Sequence, residues 1–266
     1  MGLMDKTTRD CRHSDIEHIR KFLAYAKRQV NEAQIFPPLN AYRYLVVLAL
    51  YSKCLTVAEA ILVLLDAGFG DEAFGMVRTL VDISFTLHYI GNKDTEERSK
   101  LFYDFHRKHV SDLGHEIAKY WPQLLNGVQA GNIDPAILKK YPRPHSWSGK
   151  SLSEMAMEPH STENDPTTGK PLVHNLGYRV TFRLTSHYVH PTIVCLRNHL
   201  VKPGHDNFVV RSNKGKDMSN LAAFFTASNV GLVMIAFYRC MGKPQPDRLS
   251  KWAERLLRHL VDHHRK

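Results

Sequence analysis

Apolar residues along this chain recur mostly at steps of three and four, the spacing that puts them on one side of an α-helix. Ile19, Phe22, Leu23, Ala26 and Val30 form the first such stripe. Pro37-Pro38 closes it, because proline has no N–H to donate and clashes with the preceding turn. Ser14-Asp15-Ile16-Glu17 has the form of a capping box and predicts that this helix starts at Ser14. A second helix is predicted over 41–66, ended by Gly68 and Gly70. A third is predicted over 71–90, stopping at Gly91, and a fourth over 94–120.

The middle of the chain breaks this rhythm. Pro122, Pro135, Pro142 and Pro144 divide residues 121–145 into short pieces. Residues 158–177 are rich in Pro, Thr, Asn, Asp and Gly and read as a long surface loop. A helix is predicted to resume at Tyr178 and run to His190, where Pro191 resets the backbone. Gly204 and Gly215 mark a further connection, and two last helices are predicted over 219–241 and 246–263. Phe208-Val209-Val210 is the one strand-like run. The pattern predicts an all-α fold: a single helical bundle over residues 1–266 with a loop-rich insertion in its second half and the helices of 219–263 packed on it.

Composition narrows the class without naming a reaction. Apolar residues at 43% exclude a mainly disordered chain, and 36 Lys plus Arg against 26 Asp plus Glu leave a net charge of +10. A surface of that sign favours polyanions such as RNA, DNA or anionic lipid, and it also serves plain solubility. Cys11, Cys54, Cys195 and Cys240 form no CxxC pair, which argues against a disulfide framework or zinc ribbon and for reduced thiols in the cytoplasm. Residues 1–10 are polar, without the apolar core of a signal peptide, and Lys6 stands where N-myristoylation needs Ser or Thr. Residues 44–65 are the most apolar stretch, but Lys53 and Glu59 interrupt them, so a buried core helix is expected rather than a membrane span.

Candidate chemistry concentrates in Tyr178-Arg179-Val180-Thr181-Phe182-Arg183-Leu184-Thr185-Ser186-His187-Tyr188-Val189-His190-Pro191. On a helix, Arg183, Ser186 or His187, and His190 share one face. Arginine forks onto phosphate oxygens, and a histidine beside it moves protons near neutral pH. That set suits metal-independent cleavage of RNA, with no cofactor: His190 acts on the 2′-hydroxyl or the leaving oxygen, and Arg183 stabilises charge growing on phosphorus. The Arg183-to-His190 spacing fits the loose R-x(4–6)-H pattern of the HEPN superfamily of helical ribonucleases. The same loose pattern recurs at Arg12 to His18 and at Arg258 to His263 and His264, as composition alone predicts, so the shared face carries the reading more than the spacing does.

Two other groups weigh in. Arg78 and Asp82, four apart on the third helix, read either as a structural ion pair or as an anion-binding arginine held by its carboxylate. His109, Asp112 and Glu116 share a helical face but lack the H-E-x-x-H or repeated E-x-x-H signature, so a solvated polar face is the expected account and no metal is assigned. In the last predicted helix Leu249, Trp252, Leu256 and Leu260 oppose Lys251, Arg255 and Arg258, a stripe that ordinary packing explains. No phosphate loop, nucleophile elbow or dinucleotide fingerprint occurs.

Four segments taken in order, Arg78-Thr79-Leu80-Val81-Asp82, the run Trp147-Ser148-Gly149-Lys150-Ser151-Leu152-Ser153-Glu154-Met155-Ala156, then Tyr178-Arg179, and Ser186-His187-Tyr188-Val189-His190-Pro191, resemble an uncharacterised bacterial helical family, domain of unknown function 5677. The resemblance covers about residues 40–200, with Asp82 standing where a Glu is usual and a longer polar loop before Tyr178. It implies an all-α fold in which the Arg78 helix and the 186–190 segment share a pocket, and it carries no activity to transfer. The residues themselves give the expected site: Arg183, His190 and His187 as catalytic, and Arg78, Asp82, Tyr178, Arg179 and Ser186 as anion- or substrate-binding. The weaker likeness to the HEPN group implies a toxin or antiviral ribonuclease acting as a homodimer or with a defence-complex partner. The competing expectation is a non-catalytic helical module that binds a protein or a nucleic acid.

Overall fold

In a computed structural model of the chain, residues 3–32, 41–120, 147–158, 181–190, 200–201, 209–210, 218–247, 249 and 251 are described. Seven helices are bounded among them: α1 (Leu3–Glu32), α2 (Tyr42–Asp66), α3 (Gly70–Asn92), α4 (Thr95–Tyr120), α5 (Leu152–Met157), α6 (Arg183–Val189) and α7 (Ser219–Cys240). Two-residue strands β1 (Leu200–Val201) and β2 (Val209–Val210) pair antiparallel, Leu200 opposite Val210, where the sequence shows its short Val-Val run. The fold is all-α.

The first helix begins earlier than its capping box predicts. α1 runs from Leu3 straight through Ser14, because residues 3–13 hold no Gly or Pro to stop it. A Ser competes for the backbone as a cap only where the chain arrives non-helical. The ends of α2 follow their predicted chemistry more closely. At its C-terminus Gly68 takes the left-handed φ of 83°, and the N–H of Phe69 reaches back to the Leu64 carbonyl at 2.8 Å, satisfying acceptors the helix leaves over. Its N-terminus has no cap of its own. Glu96 of α4 supplies one, accepting from the N–H groups of Tyr42 at 2.6 Å and Arg43 at 3.3 Å.

The core is built by α2, α3 and α7. α2 and α3 form an antiparallel hairpin through the short turn at Gly68. Across α3, α7 runs parallel: Gly70 meets Ser219 at one end, and Gly91 meets Cys240 at the other. Val77, Leu80, Leu87, Ile90, Val230, Met234 and Phe237 are fully buried between them. Tyr51 stacks at 4.5 Å on Phe237 and donates its hydroxyl to the Ala26 carbonyl at 3.1 Å, so α1 is tied to the core by a satisfied polar group. α2 and α7 are each long and apolar enough to cross a membrane, with mean hydropathy 1.9 and 1.7. In the bundle, half of the most apolar window of α2 and two thirds of that of α7 are buried.

Of the helix predicted from Tyr178, Arg183–Val189 is α-helical. Thr181 and Phe182 form a wider turn leading into α6, and residues 178–180 lie outside the described residues. So do the predicted stretch of 121–145, the predicted loop of 158–177 after its first residue Glu158, and most of the helix predicted over 246–263. Of that last helix, Asp247, Leu249 and Lys251 are helical, and Leu249 is buried.

The close approach of α3 and α7 gives a direct test. A Cβ at Gly70 would sit 2.9 Å from the backbone nitrogen of Ser219, which cannot swing aside as a side chain can. Gly70→Ala is expected to destabilise the fold by about 1–3 kcal/mol, the usual cost of overpacking. Chemical denaturation with circular dichroism measures it, and unchanged stability would mean the two helix ends are farther apart.

Candidate functional site

α6 lies against the N-terminal half of α3 because that half offers a gap and a flat aromatic. Gly75 lets the Tyr188 backbone come close, its absent Cβ lying only 3.4 Å from the Tyr188 carbonyl oxygen. The Tyr188 ring packs edge-on against Phe74 at 5.2 Å. Thr185 is fully buried and donates to the carbonyls of Thr181 at 2.7 Å and Phe182 at 3.1 Å, which holds the wide turn at the head of the helix.

Arg78 is the link between the two helices. Its Nε donates to Asp82 at 3.1 Å, its Nη1 donates to Ser186 Oγ, and its guanidinium carbon lies 3.1 Å from the Phe182 ring centroid. Ser186 in turn donates to the Phe182 carbonyl at 2.6 Å, so the hydroxyl uses both its donor and an acceptor position. The Arg78 side chain is 21% exposed and that of Asp82 42%. Partial burial raises the Asp82 carboxyl above its ordinary range, with the charge and N–H of Arg78 pulling against it.

Arg183, His187 and His190 lie on the solvent side of α6, and all three are exposed. Steps of four and three put them on one stripe, opposite the buried Thr185. His190 ends the helix: its backbone turns extended (φ −98°, ψ 147°) while its N–H still reaches the Ser186 carbonyl at 3.1 Å. The predicted set therefore divides. Arg78, Asp82 and Ser186 come together between α3 and α6, with Ser186 turned to Arg78 rather than sharing the outer stripe. Arg183, His187 and His190 present outward from the same short helix. Tyr178 and Arg179 lie outside the described residues.

The alternative metal face stays dispersed. Asp112 pairs with Lys108 along α4, while His109 and Glu116 are exposed. Among the described residues no three His, Cys, Asp or Glu side chains gather closely enough to hold a metal ion. Nor are Cys54 and Cys240 nucleophiles, since burial pushes both thiols up to about 12. A groove of about 320 Å³ lies between α1 and α2, where Lys27 pairs with Glu59 and Arg20 with Asp66.

A second ionic cluster, which the sequence reading did not single out, sits at the other end of α3. The Trp147-Ser148-Gly149-Lys150 segment is a tight turn: Gly149 takes a φ of 73°, and Ser148 Oγ accepts from the Lys150 N–H at 3.2 Å. Ser151 and Glu154 then form a capping box that starts α5. At the far end of α5, Glu158 receives Arg98 of α4 and Lys150 of the turn, and Lys93 lies 3.9 Å away. Arg98 is nearly buried, donates also to the Tyr89 carbonyl, and lies 3.8 Å from the centroid of the Tyr89 ring. Trp147 fills the corner edge-on to Tyr89 at 5.6 Å and Phe102 at 5.1 Å. Burial works to raise the Glu158 carboxyl, but hydrogen bonds from Lys150 and Arg98 outweigh it and hold the carboxyl below its usual range. The signal that could have found this cluster was present: a Trp-Ser-Gly-Lys turn followed by a capping box. The partner Arg98 lies on another helix, and nothing local marks it.

An all-α bundle whose α3 carries both clusters is the class of protein this geometry defines. The chain belongs to DUF5677, a family of unknown function, whose pattern matches residues 44–208. That span runs from the start of α2 past β1 and includes both clusters. No curated protein and no solved structure matches the chain.

The two clusters differ in burial, and their substitutions are expected to differ accordingly. Arg78→Ala removes the hydrogen bond to Ser186 and the Phe182 ring contact that anchor α6, along with the Asp82 pair within α3, at an expected cost of about 2 kcal/mol. Asp82→Asn keeps an acceptor at a half-exposed position and should cost under about 1 kcal/mol. Hydrogen exchange of the α6 amides distinguishes the cases, rising sharply only in the first. Glu158→Gln leaves Arg98 buried without its carboxylate and is expected to cost about 3–5 kcal/mol at neutral pH. Because the folded Glu158 carboxyl is depressed, its contribution is present above the unfolded carboxyl pKa and is lost as pH falls through the folded one. The gap between wild type and Glu158→Gln should therefore close on acidification, as urea melts at pH 7 and pH 3 would measure.

Proposed function

We propose that this protein acts on RNA as a metal-independent endoribonuclease, with Arg183, His187 and His190 as its reacting groups. One observation carries the reading: these three side chains stand exposed on a single stripe of α6, while Arg78 holds the helix against α3. Catalysis by positioned acids, bases and cations requires such a rigid backing. In the reaction, one imidazole, assigned to His190, takes the proton of the 2′-hydroxyl as its oxygen attacks the adjacent phosphorus. His187 gives a proton to the departing 5′-oxygen. Arg183 stabilises the negative charge that grows on the phosphoryl oxygens, which costs no reorganisation if the guanidinium is already placed. The products are a 2′,3′-cyclic phosphate and a 5′-hydroxyl. Arg78, Asp82 and Ser186 act as positioning residues, because Arg78 is engaged by its own chain.

The net charge of +10 supports a polyanionic substrate, and no cofactor is required by this chemistry. A ribonuclease of this kind suits a cytoplasmic toxin or an antiviral-defence role, alone as a homodimer or with a partner in a defence complex. The burial of α2 and α7 in the bundle supports reading them as core helices rather than membrane spans. A second reading, a helical module that binds protein or nucleic acid without cleaving it, draws on the same Arg78: its guanidinium meets a carboxylate, a hydroxyl and a ring of its own chain, as a structural staple does.

Cleavage of RNA in the presence of EDTA separates the two. The ribonuclease reading expects wild-type cleavage leaving 2′,3′-cyclic phosphate ends, with His190→Ala and Arg183→Ala each lowering the rate by at least about 100-fold at equal folded concentration. Cleavage that survives both substitutions would refute the assignment. RNA binding without cleavage would favour the binding module.

A further inference from the structure

α2 is apolar all the way round, yet only half of its most apolar window is buried. Such a helix is normally covered on every side. α1, α3, α4 and α7 pack against it and leave one stripe open. Leu45, Ala49, Ser52, Thr56 and Val63 form this stripe, all exposed and all within about 40° of one line at about 100° per residue. Leu45 and Val63, 55% and 64% exposed, stand at its two ends. They fall on the same line, about 27 Å apart.

The two ends differ in shape. Beside Val63 opens the groove of about 320 Å³ between α1 and α2, with Leu23, Ala24 and Leu62 as its other apolar walls. The charges at its rim are matched to each other, Lys27 to Glu59 and Arg20 to Asp66. The groove therefore suits an aliphatic side chain rather than an ion. At the other end Leu45, with Leu48 about one turn on, is an aliphatic knob. The positions between are small, and Thr56 donates its hydroxyl to the Ser52 carbonyl at 3.1 Å. Small residues let a second helix come near. Glu59 and Lys53 flank the stripe on either side.

This order of knob, small residues and groove is its own complement when reversed. A two-fold axis at the level of Cys54 sets Leu45 against the second copy's Val63 and Ser52 against its Thr56, at both ends at once. Any other partner would need a groove and a knob at the same 27 Å spacing, about five helical turns. A second copy carries them by construction.

We propose that two copies of this chain pair through α2 as an antiparallel, isologous dimer, each Leu45 seated in the other's groove between α1 and α2. The inference stands on the surface of α2 alone and holds whether or not the chain cleaves RNA. Sedimentation equilibrium of the full chain tests it. At micromolar concentration the wild type is expected at twice the 30.5 kDa of one chain. Val63→Asp puts a charge into the interface twice and is expected to weaken dimerisation at least about 100-fold. Its circular dichroism should match the wild type, because Val63 is exposed in the single chain. Leu113→Asp, at a similarly exposed leucine of α4, should leave the mass unchanged.

Cross-linking reads the register, in a background with Cys11 and Cys195 replaced by Ser. Leu45→Cys protein mixed with Val63→Cys protein is expected to form a disulfide-linked pair under a mild oxidant. Neither protein alone should link, since like positions lie about 27 Å apart across the axis. A wild-type mass of one chain overturns the proposal and leaves the face to a lipid surface or an unrelated protein. So does a dimer that Val63→Asp leaves intact, or linkage of the Leu45→Cys protein to itself. If Val63→Asp fails to fold, Ala49→Glu is read the same way.

Discussion

The constraint on which this structure depends is the packing of α3 on most of its sides. It touches α2, α4, α5, α6 and α7, and its apolar positions are sealed against α2 and α7 over its whole length. A helix packed on so many sides must let backbones come close where neighbours cross. Glycines stand at those crossings: Gly70 against Ser219, Gly75 against Tyr188, and Gly91 against Cys240. Side chains between the crossings supply the hydrophobic free energy, and the glycines set how near the helices stand.

The polar residues of α3 follow from the same packing. A helix held this tightly has one remaining face for chemistry, and two of its residues there each make more than one polar or ring contact. Arg78 bonds Asp82 within α3 and Ser186 across to α6, while Tyr89 offers its carbonyl and its ring to Arg98 of α4. These links attach short elements that could not persist alone. α5 has six residues and α6 seven, well below the length at which an isolated helix is stable in water. The exposed stripe of Arg183, His187 and His190 is ordered because α3 is.

The helices were legible in the sequence wherever local signals act alone. Gly68 ends α2 as its position predicts, and the long apolar runs of α2, α3 and α7 appear as core helices. Ser14 misled because a cap is a statement about where the chain enters a helix, and here nothing upstream interrupts it. For the site, the residues near 183–190 were found by their density of Arg, Ser and His, but their division into an inward Ser186 and an outward Arg183–His187–His190 stripe needed the position of α3. Arg98 and Glu158 escaped notice because each is an ordinary charged residue in its own segment, sixty positions apart, and only their shared burial makes them a unit.

Sequence alone determined the all-α class, the order of the long helices and the family, since these rest on periodicity, breakers and motifs within a few turns of chain. Tertiary structure decided which charges meet. Hydrogen bonds and ion pairs act over a few ångströms, and the pairs Arg78–Ser186, Glu96–Tyr42, Arg98–Glu158 and Tyr238–Gln29 join positions between 54 and 209 apart in sequence. The one-dimensional pattern records that a buried charge needs a partner. The packing of α3 chooses which one it gets.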